Sequence, residues 1–343
     1  MNSRERVIAA VKNEPTDKPC SSFRAEPTTL EKIRRQTGRR DIDLLLDDLD
    51  VDIRHIDATP PPEKCVGDLY QNYWGERYVY KPTPYGPERE DTVGALAQAQ
   101  SMEEFERFGW VSNDDFDYSR IPALCDRYEG RAIMYGTGDI FQRPGLVRGM
   151  ENFLVDMYEH PEFCHYLSNR FTDFYVEDYR RAFEASRGRI DLFLIYSDLG
   201  SQRSPLFSMQ MAKEFVMPYL RRIADAVHEM GASLFYHSCG MISPFIPLFI
   251  EAGVDILDPI QPVDESMQPE SLAAAYAGKL CFHGGIDVQH VLTQGTPAEV
   301  EAEVRRYVKA FAGRCGYICA PSHLFQPDTP VDNILALYRA LRA

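Results

Sequence analysis

The feature that most restricts this chain is a recurrence. Short apolar runs return eight times along its 343 residues, centred near positions 20, 53, 133, 193, 235, 256, 281 and 318. Some, such as Asp191-Leu192-Phe193-Leu194-Ile195-Tyr196, are almost continuously apolar, as expected of strands covered on both faces. Most of the segments between them carry helical spacing instead. Behind the capping box Thr296-Pro297-Ala298-Glu299, residues Val300, Val304, Val308 and Phe311 fall on one face. Behind Thr329-Pro330, residues Ile334, Leu335, Tyr338 and Leu341 do the same. Repeated strand–helix units imply a parallel sheet, and eight of them predict a closed barrel. The expectation is one (β/α)8 TIM-barrel domain over 1–343, with an N-terminal helical extension at about 2–13.

Two stretches depart from this rhythm. Residues 208–230 read as one long helix, kinked at Pro218 and closed by Gly231. Residues 57 to about 98 form an insertion rich in proline and aromatic residues: Pro60, Pro61, Pro62, Pro82, Pro84 and Pro87, interleaved with Tyr70, Tyr73, Trp74, Tyr78, Tyr80 and Tyr85. Alternation around Glu76 to Tyr80 predicts a hairpin or small sheet. An excursion of this length and composition is not a linker. It is expected to serve as structural cover, to close over the active site, or to build a homodimer interface.

Composition narrows the partners. Hydrophobic residues make up 44% and charged residues 26%, so a large core is available. A net charge of −15 argues against a nucleic-acid backbone or an anionic membrane surface as a general partner. No apolar run approaches a membrane span, and residues 1–18 are polar, so a cytoplasmic location is expected. Eight cysteines are scattered without a disulfide framework. In a reducing compartment most are buried thiols, and one or a few are open to metal binding.

Chemistry in such a barrel belongs at the C-terminal ends of the strands. The run ending in Tyr236-His237-Ser238-Cys239-Gly240 delivers an imidazole and a thiol two residues apart, hence on one side of a strand, and Zn²⁺ favours such ligands. The third ligand is His323 or Cys319. Cys319 lies within an apolar strand, where an inert thiol is the default, so His323 is preferred. Asp198 and His283, each at a strand end, are the candidates for catalytic roles. Gln202, Gln261 and Asp287 are the candidates for polar contacts to a substrate.

His237-Ser238-Cys239-Gly240, Gly253-Val254-Asp255-Ile256-Leu257, Gly284-Gly285-Ile286-Asp287 and Thr329-Pro330-Val331-Asp332-Asn333-Ile334 together resemble the uroporphyrinogen decarboxylase superfamily, specifically its zinc-dependent methylcobamide methyltransferase branch. The resemblance is strongest from Asp198 onward. It implies a (β/α)8 barrel, zinc held by an H-x-C pair and a later cysteine, and methyl transfer between a corrinoid on a partner protein and a thiol or similar small-molecule acceptor. Registered on Thr329-Pro330, that later cysteine falls at His323, where the decarboxylase branch also has a histidine. The decarboxylases further carry an arginine-rich segment near the first strand; here Ser22-Phe23-Arg24-Ala25-Glu26 has one arginine, which argues against a polycarboxylate tetrapyrrole substrate. The alternatives are a lyase acting on a small carboxylate or tetrapyrrole-like substrate, and a non-catalytic corrinoid-binding module.

Overall fold

The computed structural model describes residues 1–84 and 86–342. The barrel strands are β1 (Cys20–Ser21) and β2 (Ile53–Ile56), followed by four strands of the insertion: β3 (Lys64–Val66), β4 (Leu69–Gln71), β5 (Arg77–Thr83) and β6 (Gly86–Val93). The barrel resumes with β7 (Ala132–Asp139), β8 (Leu192–Tyr196), β9 (Ser233–His237), β10 (Ile256–Ile260), β11 (Cys281–Ile286) and β12 (Tyr317–Pro321). The eight barrel strands are parallel in the order β1-β12-β11-β10-β9-β8-β7-β2. Its two ends meet at Asp52: the Asp52 N–H donates to the Ser21 carbonyl at 3.1 Å, and its carboxylate accepts the Ser21 N–H at 2.9 Å. This is the expected (β/α)8 barrel.

Inward and outward side chains alternate along each strand, and the interior shows it. Leu192, Leu194, Phe235, Ile256, Cys281 and Ile318 form an inner cluster. Helix Ser3–Val11 joins it by inserting Val7 and Ala10 at the N-terminal end of the barrel. A reciprocal Asn2–Glu5 cap starts that helix, and the buried ion pair Arg6–Asp52 ties it to the sheet at 2.5 Å. The outward residues pack under the surrounding helices in a second, larger core.

Three segments differ from the sequence expectation for identifiable reasons. Residues 208–230 form two helices, Met209–Phe215 and Met217–Glu229, broken at Val216 (φ −125°, ψ −52°). Pro218 lacks an N–H and so sits in a first turn instead of bending a continuous helix. β10, expected around position 256, begins at Ile256 and runs on through Asp258 to Ile260, so a carboxylate lies inside the barrel. β11 continues through Gly284 and Gly285, both at positive φ. A Cβ at Gly285 would lie 2.2 Å from the Tyr307 ring, so glycine lets helix Pro297–Phe311 close onto the strand.

The insertion folds as the antiparallel sheet β3-β4-β5-β6. Trp74 packs against Phe171 and Phe174 of helix Pro161–Ala185, with ring centroids 4.6 and 4.8 Å apart. The buried Glu76 carboxylate accepts from Asn72, Arg89 and Arg143 at 2.6, 2.9 and 2.7 Å. The small sheet is thereby fastened to the outer helix layer and to the segment after β7. Tyr85, one of the expected aromatic residues, lies outside the described residues. Helices Met102–Arg107 and Ile121–Arg127 extend the excursion up to β7. Among the described residues, no helix is long and apolar enough to cross a membrane.

Candidate metal centre

Register builds the site. β8, β9 and β10 pair so that Tyr196 lies beside His237, and His237 beside Asp258. Neighbouring strands are under 5 Å apart, so inward side chains at matched positions touch. The His237 Nδ1 meets Asp258 Oδ2 at 2.6 Å, and the Tyr196 and His237 rings lie 4.7 Å apart. A carboxylate only accepts, so His237 carries its proton on Nδ1, and in the neutral ring Nε2 keeps a free lone pair.

That lone pair faces the other two predicted ligands. Nε2 of His237 lies 3.2 Å from the Cys239 Sγ. His237, Cys239 and His323 offer donor atoms that all lie within 4.8 Å of one another. In a tetrahedral zinc site, neighbouring N and S donors are separated by about 3.3–3.6 Å. Three donors at this spacing fit a small thiophilic cation after a modest contraction. Cys319 is on the other side of the sheet: Ile318 points into the barrel, while Cys319 belongs to the outer core and is fully buried there.

The electrostatics suit a ligand set in which a metal has to deprotonate the thiol. Burial, reinforced by the carboxylates of Asp198 and Asp258, raises the Cys239 pKa, which keeps the free thiol protonated. Burial also lowers the His323 pKa, with His237 and Arg24 adding to the effect, so this imidazole is held neutral, as a ligand must be. Asp258 is fully buried. Burial alone would raise its pKa, yet Arg24, His283 and His237 outweigh that and hold it well below the usual carboxylate range. The Arg24 guanidinium reaches Asp258 Oδ2 at 2.8 Å and the Tyr196 hydroxyl at 3.2 Å.

The remaining predicted residues separate into two groups around this cluster. Asp198 lies beside the ligands: its Oδ1 accepts the Cys239 N–H at 2.8 Å and is 3.5 Å from His237 Nε2, while its Oδ2 accepts from Gln142 at 3.2 Å. Gln261 joins the two ligand loops, accepting the Gly240 N–H at 2.8 Å and donating to the Ser322 carbonyl at 3.3 Å. Gln202 donates to Gln261 at 3.1 Å. Gly240 has φ +85°, and a Cβ there would lie 2.5 Å from the Ser201 carbonyl, so glycine is required where these loops cross. Gln202, Gln261 and Asp287 line one cavity of about 290 Å³ with Arg203, His290 and Ser322. Asp287 also accepts the Gln289 N–H at 2.8 Å, a local turn contact.

His283 is placed differently. It is 2% exposed, below the mouth, and both ring nitrogens are engaged: Nδ1 with Asp258 Oδ1 at 2.5 Å, Nε2 with Ser22 Oγ at 2.5 Å. Sequence reasoning missed Asp258, Ser22, Tyr196 and Gln142, and gave Arg24 no part in the site. A signal for Asp258 did exist, as a lone carboxylate two residues after the inward-facing Ile256, but only strand register makes it meaningful.

Comparison with known proteins agrees with the barrel fold. Residues 144–343, more than half of the chain, match the family described as uroporphyrinogen decarboxylase (URO-D). The chain is 27% identical over 223 residues to methylated-thiol–coenzyme M methyltransferase of Methanosarcina mazei, covering 65% of this chain and 56% of that protein. It is 30% identical over 154 residues to uroporphyrinogen decarboxylase of an Anaeromyxobacter species, covering 42% of this chain and 41% of that protein. The matched stretches thus span about half the length of these relatives or less. A solved methyltransferase from Methanosarcina mazei superposes over 100% of this chain and 98% of its own, with TM-score 0.71 and 15% identity, and so shares the fold. By its matched sequence and its barrel, the chain belongs to the uroporphyrinogen decarboxylase family.

Proposed function

We propose that this protein is a zinc-dependent methyltransferase that moves a methyl group between a corrinoid, carried on a partner protein, and a small thiol. The observation that carries the reading is the cluster of His237, Cys239 and His323, two nitrogens and one sulfur whose donor atoms all lie within 4.8 Å of one another. Zn²⁺ bound there would hold an acceptor thiol as its thiolate near neutral pH, the nucleophilic form. The residues around it do the rest. Asp258 fixes the tautomer of His237. Asp198 holds the Cys239 backbone, and Gln261 keeps the Cys239 and His323 loops in register. The cavity lined by Gln202, Gln261 and Asp287 takes the body of the acceptor. The methylated-thiol methyltransferase among the relatives supports the choice of a thiol.

A lyase reading has one observation in its favour: the third donor is His323, the residue type of the decarboxylase branch. Against it, Arg24 is already paired with Asp258 and is not free to grip several carboxylates. The deciding experiment measures zinc content and methyl transfer from a methylcorrinoid to simple thiols, in wild type and in Cys239→Ala. About one zinc per chain and thiol methylation, both lost in the variant, is the expected result. Zinc-independent release of CO2 from a candidate acid, with no methyl transfer, would overturn the proposal.

A further inference from the structure

Asp258 is shared by two histidines. Its Oδ2 accepts from His237 Nδ1 and from Arg24; its Oδ1 accepts from His283 Nδ1 at 2.5 Å. His283 in turn meets Ser22 Oγ through Nε2 at 2.5 Å. Asp258 and His283 are 0% and 2% exposed, so these atoms are screened from bulk solvent. His283 stacks edge-on to Phe235, centroids 4.8 Å apart, and does not contact the ligand cluster itself.

A carboxylate bonded on one oxygen alone can rotate about its Cβ–Cγ bond, because terminal sp³–sp² torsions are broad. Bonded on both oxygens by rings that are themselves held, its plane is fixed. The Nδ1 donor of His283 supplies the second attachment, and Ser22 holds the far side of that ring. The hydroxyl of Ser22 both donates and accepts, so it leaves the proton of His283 free to sit on Nδ1, where Asp258 needs a donor.

We infer that His283 is a positioning residue of the metal centre: from one residue beyond the ligand, it orients Asp258, and through Asp258 it fixes His237 as an Nε2 ligand. The inference rests on the metal-site reading above. It gives the Nδ1 atom of His283 a specific task and the Nε2 atom a lesser one, and two amide substitutions separate them. In His283→Asn the side-chain amide stands where Nδ1 was and still donates to Asp258. In His283→Gln the amide reaches toward Ser22, and Asp258 loses the donor to its Oδ1.

The test measures zinc affinity of the full chain by competition with a chromophoric chelator, and records the visible spectrum of the Co²⁺-loaded protein as a report on ligand geometry. Thermal melting monitors folding. Outer-sphere partners of metal-bound histidines change affinity by about 10–100-fold. His283→Gln is expected to lose affinity in that range and to shift the cobalt spectrum. His283→Asn is expected to stay near wild type in both, with melting temperatures of the two variants alike. Equal zinc affinity in all three proteins, or His283→Asn impaired as much as His283→Gln, overturns the inference while leaving the metal site standing. If wild type itself takes up neither zinc nor cobalt, the metal-site reading falls, and this inference with it. Should either variant fail to fold, Ser22→Ala provides the second measurement. It leaves the Nδ1–Asp258 bond in place, so a loss as large as that of a histidine ligand deletion would contradict the division of tasks.

Discussion

Two layers of the barrel interior differ by one step along the same strands. On β8, β9, β10 and β11 the lower inward residues are Leu194, Phe235, Ile256 and Cys281. Two residues on, they are Tyr196, His237, Asp258 and His283. The backbone geometry is shared, and the chemistry is opposite. The lower layer removes hydrocarbon from water, worth about 1.5–3 kcal/mol per large side chain. The upper layer buries groups that cost free energy unless each is partnered. Here they are: both oxygens of Asp258 and both nitrogens of His283 have hydrogen-bond partners. The lesson is a division of labour within 7 Å or so of strand, about two residues of rise, with stability below and a site above.

That division can be broken experimentally. Phe235→Ala in the lower layer is expected to cost about 3–5 kcal/mol in urea unfolding while leaving metal stoichiometry intact. Loss of metal from protein that is still folded would show that the layers are not separable. Cys239→Ala and His323→Ala should do the reverse, abolishing stoichiometric zinc while shifting unfolding by only about 1 kcal/mol, because both side chains are partly exposed. A collapse in stability comparable to that of Phe235→Ala would mean that these residues serve the core.

Much of this was legible in advance, and the reason is local. The barrel follows from alternation between two kinds of apolar pattern, and His237-x-Cys239 from a spacing of two, each readable within a few residues. His323 came from its place after a strand. The carboxylate that organises the site was not legible. Asp258 precedes a proline and reads as the end of a strand, and its partners His237, His283 and Arg24 come from two other strands and the segment after β1, whose register no single stretch encodes. The same limit left Cys319 and His323 open. Facing supports His323 in the proposed site: on β12, Ile318 is inward and Cys319 outward. Cys319→Ala is accordingly expected to keep its full zinc content and to cost about 1–2 kcal/mol of packing. Zinc loss in that variant would reverse the assignment.

The smallest expected effect lies away from the barrel interior and tests whether buried polarity elsewhere follows the same rule. Asp178 of helix Pro161–Ala185 accepts from the hydroxyls of Tyr118 and Tyr135 at 2.7 and 2.9 Å. Burial raises its pKa to about 6. A carboxyl whose folded pKa lies above its unfolded value favours the fold at low pH, and that contribution fades as pH rises through about 6. Asp178→Asn should therefore flatten part of the decline in stability between pH 4 and 7, the region around that titration. An unchanged slope in denaturation at several pH values would remove Asp178 as its source.

Helix Ser3–Val11 has a consequence for traffic. With Val7 and Ala10 seated among the inward residues of the strands, the barrel is stoppered at one end. Access to His237, Cys239 and His323 from that end is closed, which leaves the opposite, C-terminal end of the strands as the opening for reactants. In the proposed methyl transfer, the two reactants, one of them bound to a protein, would have to meet within that opening. Under the proposed reaction the smaller reactant would have to be seated first, with its sulfur facing the entrance, before the carrier protein closes over it and presents the methyl group. Excess carrier protein would then slow turnover by blocking the way in.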